Sequence, residues 1–324
     1  MSKDSLSFDF LIIGAGITGL CIAHQLLHFH PQSKICILEK ESSPGFHTSG
    51  RNSGVIHAGL YYKPDSLKAK VCVEGAKRLS DWIISRNLPL NQCGKVVVPQ
   101  RLELDSQLDI LAQRGRLNGA SVEYLDATSL QEVCPGARSA SGRSLWSPST
   151  SVTSPILVIQ QLSKELRESG VVFFYNSLIK EIDFARKAIS VNNNLMHYGA
   201  LINCSGHQAL SIAQKDDVGL QYRLIPFKGI YYQTKISSKI PFSCNLYPVP
   251  DLDTPFLGVH FTPSAVDDSV TYIGPTATLA LGSENYFGLT GAQPSQFLSS
   301  LSTVFVQYFS NNAHFRKYVH KQAL

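Results

Sequence analysis

The sequence has 324 residues, 44% hydrophobic and 16% charged, which is too apolar for a disordered chain and long enough to bury about two domain cores. Its 29 basic and 24 acidic residues leave a net charge of +5 with no cluster of five Lys or Arg; this argues against a nucleic-acid surface and fits a small anionic molecule. Seven cysteines, an odd number without a C-x-x-C pair, encode neither a disulfide framework nor a local metal site, so no metal is expected and most of the thiols read as small buried hydrophobes.

The first element is the apolar run Phe10–Ile13, a buried parallel strand that enters Gly14, Gly16 and Gly19 in the spacing G-x-G-x-x-G. A helix follows over Ile17–His30, with Leu20, Ala23 and Leu27 on one face. A second strand, Lys34–Leu38, ends on Glu39, twenty positions after the last glycine. Gly14 permits the turn, Gly16 removes the Cβ that would hold a pyrophosphate away, and Gly19 lets helix pack on strand. The helix N-terminus offers free N–H groups and a positive dipole end to phosphates, and Glu39 accepts hydrogen bonds from ribose hydroxyls. The glycines alone would be a weak signal; strand, turn, helix, strand and acid in this order specify a dinucleotide site. This apolar start carries the glycine turn, His24 and Gln25 and no small-residue cleavage site, so it is not read as a signal or membrane segment, and an intracellular, cytoplasmic protein is expected.

A long loop, Pro44–Ser66, comes next, and long ordered loops mark function. Helices are predicted at Asp65–Arg86, Glu103–Leu117 and from Ser154 to Gly170, the last with Ser154 as N-cap, Pro155 at the first position and Gly170 as stop. Strands at Val171–Phe174, Leu178–Phe184, Ala188–Val191 and Ala200–Asn203 form a second nucleotide-binding element. Alternating β patterns run through Gly94–Val98, Leu224–Thr234, Leu246–Val249, Phe256–Phe261 and Val270–Ile273, and helix-like text through Phe297–Phe309 and Asn311–Lys321. The expected fold is an α/β Rossmann-like nucleotide-binding domain in two segments, residues 1–90 and 150–215. A mostly antiparallel β domain for the substrate occupies 91–149 and 216–290, and a helical segment covers 291–324.

The Pro44–Ser66 loop, rich in Gly, Ser and His around Arg51, is not needed by a nicotinamide, whereas a flavin needs backbone donors and small side chains beside its pyrophosphate and ring. GAGITG at Gly14–Gly19, SGRNSGVIHAGLYY at Ser49–Tyr62, INCSG at Ile202–Gly206, PFKGIYY at Pro226–Tyr232, YPVPDLDTPFLGVHFT at Tyr247–Thr262 and GPTATLAL at Gly274–Leu281 follow one another in the order of a known family. In them the chain resembles the L-2-hydroxyglutarate dehydrogenase/oxidase family of D-amino-acid-oxidase-like flavoproteins.

The resemblance implies FAD, with Gly14, Gly16, Gly19 and Glu39 on its ADP half, Ser49, Arg51, Asn52 and Ser53 beside pyrophosphate and flavin, the Leu178 backbone at adenine, and Ser205 and Gly206 near the diphosphate. It implies oxidation of a 2-hydroxy dicarboxylate, L-2-hydroxyglutarate, to 2-oxoglutarate by hydride transfer to the flavin. A neutral histidine suits the base that takes the hydroxyl proton, and His57 and His260 are the candidates. Lys228, Tyr61 and Tyr231 are the candidates for holding carboxylates, although both tyrosines also read as packing of the β domain and Arg51 as the partner of a structural carboxylate. His207 reads as a helix cap. Oxygen and a quinone-linked carrier both remain open as acceptor, the second placing the protein peripherally on the inner membrane. Two departures stand out: Thr276 where the family is expected to carry Asn, and no glycine- and serine-rich turn with a following helix before the sequence ends at His320–Leu324. They keep three alternatives open: a truncated, inactive or flavin-poor relative, a binding protein with the nucleotide fold, or another flavo-oxidase or NAD-linked dehydrogenase.

Overall fold

The computed structural model describes residues 6–192, 194–234, 242–250, 258–310, 313 and 315–316. The chain divides into two units, one made of residues up to Asn52 with Pro155–Leu224, the other of Ser53–Ser154 with Ile225 onward.

The first unit is built on a six-stranded sheet. Strand β1 (Leu6–Ile13) leads through the glycine turn into helix α1 (Ile17–Phe29) and then strand β2 (Ile35–Leu38). β1 lies between two parallel neighbours, β2 on one side (Phe10 opposite Ile35) and Asn194–Asn203 on the other (Leu6 opposite Met196). Val172–Phe174 extends the parallel set beyond β2, while Ala188–Val191 and Ile179–Asp183 add antiparallel strands at the far edge. All four residues of β2 are buried, as a strand covered on both faces requires. Phe8, Leu11, Ile13, Cys36, Leu38, Ile189, Met196 and Tyr198 form the core on one face. α1 buries only Gly19, Leu20 and Ala23, and Pro155–Glu168 buries Val158, Ile159, Leu162 and Leu166. Four parallel strands thus bring their carboxyl ends to one edge, where backbone bonds from Gly14 N–H to Leu38 O (2.8 Å), Glu39 N–H to Phe174 O (2.9 Å) and Cys204 N–H to Ile13 O (2.9 Å) continue the ladder into the loops. Such an edge is where open α/β sheets bind ligands. The Ala200–Asn203 strand begins earlier than expected, at Asn194, because Asn194, His197 and Gly199 interrupt its apolar signal.

The second unit holds a seven-stranded sheet in the order Tyr232–Gln233, Thr271–Gly274, His260–Pro263, Asn245–Pro248, Lys95–Val98, Ser144–Ser147, Glu123–Leu125. Every pairing is antiparallel except that of Asn245–Pro248 with Lys95–Val98. Leu108, Leu111 and Ala112 of helix Ser106–Leu117 pack with Leu60, Val97, Leu145 and Tyr247 into its core.

The expected domain boundaries move. Strand Val55–Ile56 pairs with Ser151–Thr153, which also pairs with Leu90–Asn91, and the Cys72 thiol donates to His57 O (3.2 Å). These ties draw residues 53–90, with helix Leu67–Ser85, into the second unit rather than the first. Residues 291–310, part of the segment 291–324 expected to stand apart, group with the second unit as well. The expected strand Leu224–Thr234 is two short strands on different sheets, Phe227–Lys228 and Tyr232–Gln233. Between them the backbone at Gly229 runs so close to Pro275 that a Cβ would lie 2.7 Å from that ring. Part of the expected strand Phe256–Phe261 and most of the helix-like tail Asn311–Lys321 lie outside the described residues. Among the described residues no helix is long and apolar enough to cross a membrane.

Candidate active site

At the carboxyl edge of the first unit's sheet lies a cleft of about 500 Å³. Its floor is the glycine turn. Gly14 has φ +103°, and a Cβ there would stand 2.5 Å from Cys204 O; a Cβ on Gly19 would stand 2.1 Å from Gly14 O. Two glycines are thus required by the protein's own backbone, independently of any ligand. The Ser49 hydroxyl accepts from Ile17 N–H (3.1 Å), occupying one of the free donors at the start of α1.

Glu39 is 8% exposed and does more than the sequence suggested. One carboxylate oxygen accepts from Ala15 N–H (2.8 Å) and the other from Glu41 N–H (2.9 Å). The acid straps the turn to the end of β2, with a further lone pair on each oxygen for a ligand hydroxyl.

Of the residues expected to hold the dinucleotide, Gly14, Gly16, Glu39, Ser49, Leu178, Ser205 and Gly206 line this cleft, and Gly19 supports it from beneath. Arg51 and Asn52 instead brace their own loop. The Arg51 Nε donates to Phe46 O (2.7 Å) with the guanidinium 5.1 Å from the Phe46 ring centre, and Asn52 Nδ2 donates to Thr48 O (3.2 Å) and Ser49 O (2.8 Å). Ser53 opens the second unit, where its hydroxyl is bonded to Tyr231. Sequence reasoning missed Lys40, His47 and Lys215, which also line the cleft. Glu41 bonds Lys40 and His47 Nε2 (2.9 Å for the latter), and the Lys40 contact pulls its carboxyl below the usual range. His207, expected to cap a helix, lines the cleft and meets His47 edge-on at 5.3 Å. No periodicity marks these cations and imidazoles; they become neighbours only when four strand ends converge.

A second constellation forms inside the second unit. His260 is 4% exposed and stacks on Tyr247 with ring centres 4.0 Å apart; His57 meets the same tyrosine edge-on at 6.3 Å. Lys95 is fully buried, its Nζ 4.4 Å from the Tyr61 ring centre and 5.2 Å from that of Tyr247. The sequence reading passed over Lys95, because a lysine beginning an apolar strand looks like an exposed edge residue. His57 Nδ1, His260 Nε2, Tyr61 Oη and Lys95 Nζ are buried without a hydrogen-bond partner. Buried polar atoms normally have partners, so a concentration of orphans marks a place where water or a ligand completes the bonding. The His260 Nδ1 lies 3.0 Å from Gly258 O. A carbonyl can only accept, so in the neutral ring the proton sits on Nδ1 and Nε2 keeps its lone pair. Lys228 lies on the two-stranded sheet with Thr278–Leu279 and donates to Asn285 Oδ1 (2.8 Å). Tyr231 faces His260 at 6.3 Å.

Residues 9–318 match the family described as FAD dependent oxidoreductase. The chain belongs to that family.

FAD is therefore its cofactor, and the cleft fits it: a glycine cradle, a helix start, an acid at the second strand's end and the cations Lys40 and Lys215 suit a pyrophosphate flanked by ribose. This FAD dependent oxidoreductase is 35% identical over 309 residues to the mitochondrial L-2-hydroxyglutarate dehydrogenase of Caenorhabditis elegans, covering 93% of this chain and 70% of that protein. It is 34% identical over 303 residues to the human mitochondrial enzyme of the same name (88% and 64% covered), and 34% over 283 residues to the Escherichia coli L-2-hydroxyglutarate dehydrogenase (86% and 66%). The chain thus spans roughly two thirds of the length of these relatives. In fold it is similar to the FAD-bound L-alpha-glycerophosphate oxidase of Mycoplasma pneumoniae (TM-score 0.76, 22% identity, 91% of this chain and 78% of that one). A glycine oxidase of Geobacillus kaustophilus is also similar (TM-score 0.72, 18% identity, 85% and 72%).

The imidazoles of this oxidoreductase carry a stability signature. Burial, reinforced by the charge of Lys95, lowers His57 from 6.5 to about 3 and His260 from 6.5 to about 4. Above pH 6.5 both are neutral in the folded and the unfolded chain; below it the unfolded chain binds protons that the folded one refuses. Stability is therefore expected to fall as the pH is lowered from 6.5, by about 1.4 kcal/mol per pH unit for each histidine, down to about 4 for His260 and about 3 for His57, and then to level off. Urea unfolding at a series of pH values measures the slope. A double His57→Gln, His260→Gln variant should show a shallower one, and an unchanged slope would refute the assignment.

Proposed function

We propose that the chain oxidises L-2-hydroxyglutarate at its C2 hydroxyl to 2-oxoglutarate, the first unit holding FAD and the second the substrate. The observation that carries this reading is the unprotonated His260, whose Nε2 lone pair is buried and unpartnered, in a chain about one-third identical to dehydrogenases of that substrate. When bound, FAD supplies the acceptor for the hydride that leaves C2. His260 Nε2 takes the hydroxyl proton, so that C2 and its oxygen become a carbonyl as the hydride departs. The Gly258 carbonyl fixes the tautomer, and Tyr247, stacked on the ring, fixes its plane. Lys228, with two N–H donors beyond the one Asn285 takes, and Tyr231, held by Ser53, are the groups we assign to the substrate carboxylates. Gly14, Gly16, Glu39, Ser49, Leu178, Ser205 and Gly206 are those we assign to FAD.

The expected result is a yellow protein whose visible flavin absorbance bleaches when L-2-hydroxyglutarate is added without oxygen, and recovers with oxygen or with a quinone. Bleaching by L-lactate or glycerol 3-phosphate and not by L-2-hydroxyglutarate would overturn the substrate. A folded, colourless protein that takes up no added FAD would establish the flavin-poor alternative.

A further inference from the structure

Lys95 is the one buried cation among the described residues, and the one buried carboxylate among them, Glu39, belongs to the other unit. The groups facing Lys95 come from every element around it. The loop after Val55–Ile56 supplies His57 and Tyr61, helix Leu67–Ser85 the Cys72 thiol, strand Asn245–Pro248 Tyr247, and strand His260–Pro263 His260. Behind these, Tyr231 faces His260, and Cys93 approaches Tyr247. None is an acid of the Asp or Glu type. Burial holds the tyrosines and the Cys72 thiol in their neutral, protonated forms. The Nζ instead rests against the faces of Tyr61 and Tyr247, where a ring quadrupole gives a cation modest support. A desolvated space without a counter-charge tolerates one positive charge poorly and two much worse.

We propose that Lys95 is a positioning residue for the oxidation: sealed among Tyr61, Tyr247, His57 and His260 with no carboxylate among the described residues to neutralise it, it makes the three bases share at most one proton, so that an imidazole stays free to take the substrate's. This rests on the function proposed above and deepens it. The lowered proton affinities fit the placement, Lys95 being pushed down by burial to about 7 while its charge is among the causes that lower both histidines. The proton balance is simple. The hydroxyl proton passes to the imidazole, and any proton then on the amine is released, keeping the charge of the group at one or below.

The test is the titration of the ring carbons of His57 and His260 by NMR in carbon-labelled protein, the two assigned among the ten histidines from His57→Gln and His260→Gln spectra. Lys95→Met keeps the length and removes the charge; it is expected to move both midpoints up by about half a pH unit or more. Lys95→Arg, whose charge cannot be lost, is expected to leave them at or below the wild-type positions. The low-pH limb of the flavin-reduction rate should rise with the midpoints in Lys95→Met. Midpoints that stay put in Lys95→Met, or that move alike in both variants, would show a packing effect and overturn the proposal. A wild-type chain that leaves its flavin oxidised with L-2-hydroxyglutarate defeats the substrate reading alone, and the midpoints still decide the role of Lys95.

Discussion

Gly14→Ala is expected to abolish FAD retention while leaving most of the secondary structure in place. The position has φ +103° and its Cβ would stand 2.5 Å from the backbone oxygen of Cys204. A left-handed conformation costs an alanine about 1–2 kcal/mol, and forcing two backbone segments apart adds roughly 1–3 kcal/mol, as overpacking of a core does. The turn can relieve this only by moving away from the strand end, which spoils the cradle. Each 1.4 kcal/mol lost in binding is about a tenfold loss in affinity, so a variant purified without added FAD should carry less than about a tenth of the wild-type flavin. Gly170→Ala is the control: its φ is +91° but no heavy atom lies within 4 Å of the would-be Cβ, so it should pay the conformational cost and keep its flavin. The ratio of visible to protein absorbance, with far-ultraviolet circular dichroism for the fold, checks both. A fully flavinated Gly14→Ala protein would contradict the assignment of the cleft.

The second large effect is expected at His260. Removing a positioned general base typically slows a reaction by about 10²–10⁴, and His260→Gln should slow anaerobic flavin reduction by L-2-hydroxyglutarate to that extent with flavin content unchanged. His57→Gln should cost less. The ring of His57 meets Tyr61 and Tyr247 edge-on at 6.4 and 6.3 Å, and among the described residues its Nδ1 has no partner to fix the tautomer as Gly258 fixes that of His260. Wild-type rates in both variants would remove the imidazoles as bases, and a slow His57→Gln beside a normal His260→Gln would exchange their roles.

Much of the first unit was legible because its signals are local. A four-residue strand buried throughout, a glycine turn and a helix opened by Pro155 and followed by Gly170 each announce themselves within a dozen or so residues. The family resemblance then drew His57 and His260 together across two hundred positions, which no local signal could have done. Glu39 illustrates the limit: its place at a strand end was readable, but its two bonds to Ala15 and Glu41 depend on how the turn folds back. The domain boundary at residue 90 failed because strands of two or three residues, such as Val55–Ile56 and Leu90–Asn91, leave no periodicity to detect. Lys95 was overlooked because binary patterning places charge outside, and only the tertiary structure shows the amine under two aromatic rings.

The two halves of the first sheet are far apart in sequence: Ile13 lies opposite Asn203, a partner 190 positions further along the chain. At about 5–20 residues per second, a ribosome needs roughly 10–40 s to deliver the partner strand. Throughout that interval the apolar segments Phe10–Ile13 and Ile35–Leu38 have only each other to pair with, and their outer edges can stick to whatever is nearby. Yield in recombinant hosts should therefore depend on chaperones that shelter nascent chains, and on slowing growth by cooling, more than on the thermodynamic stability of the finished protein.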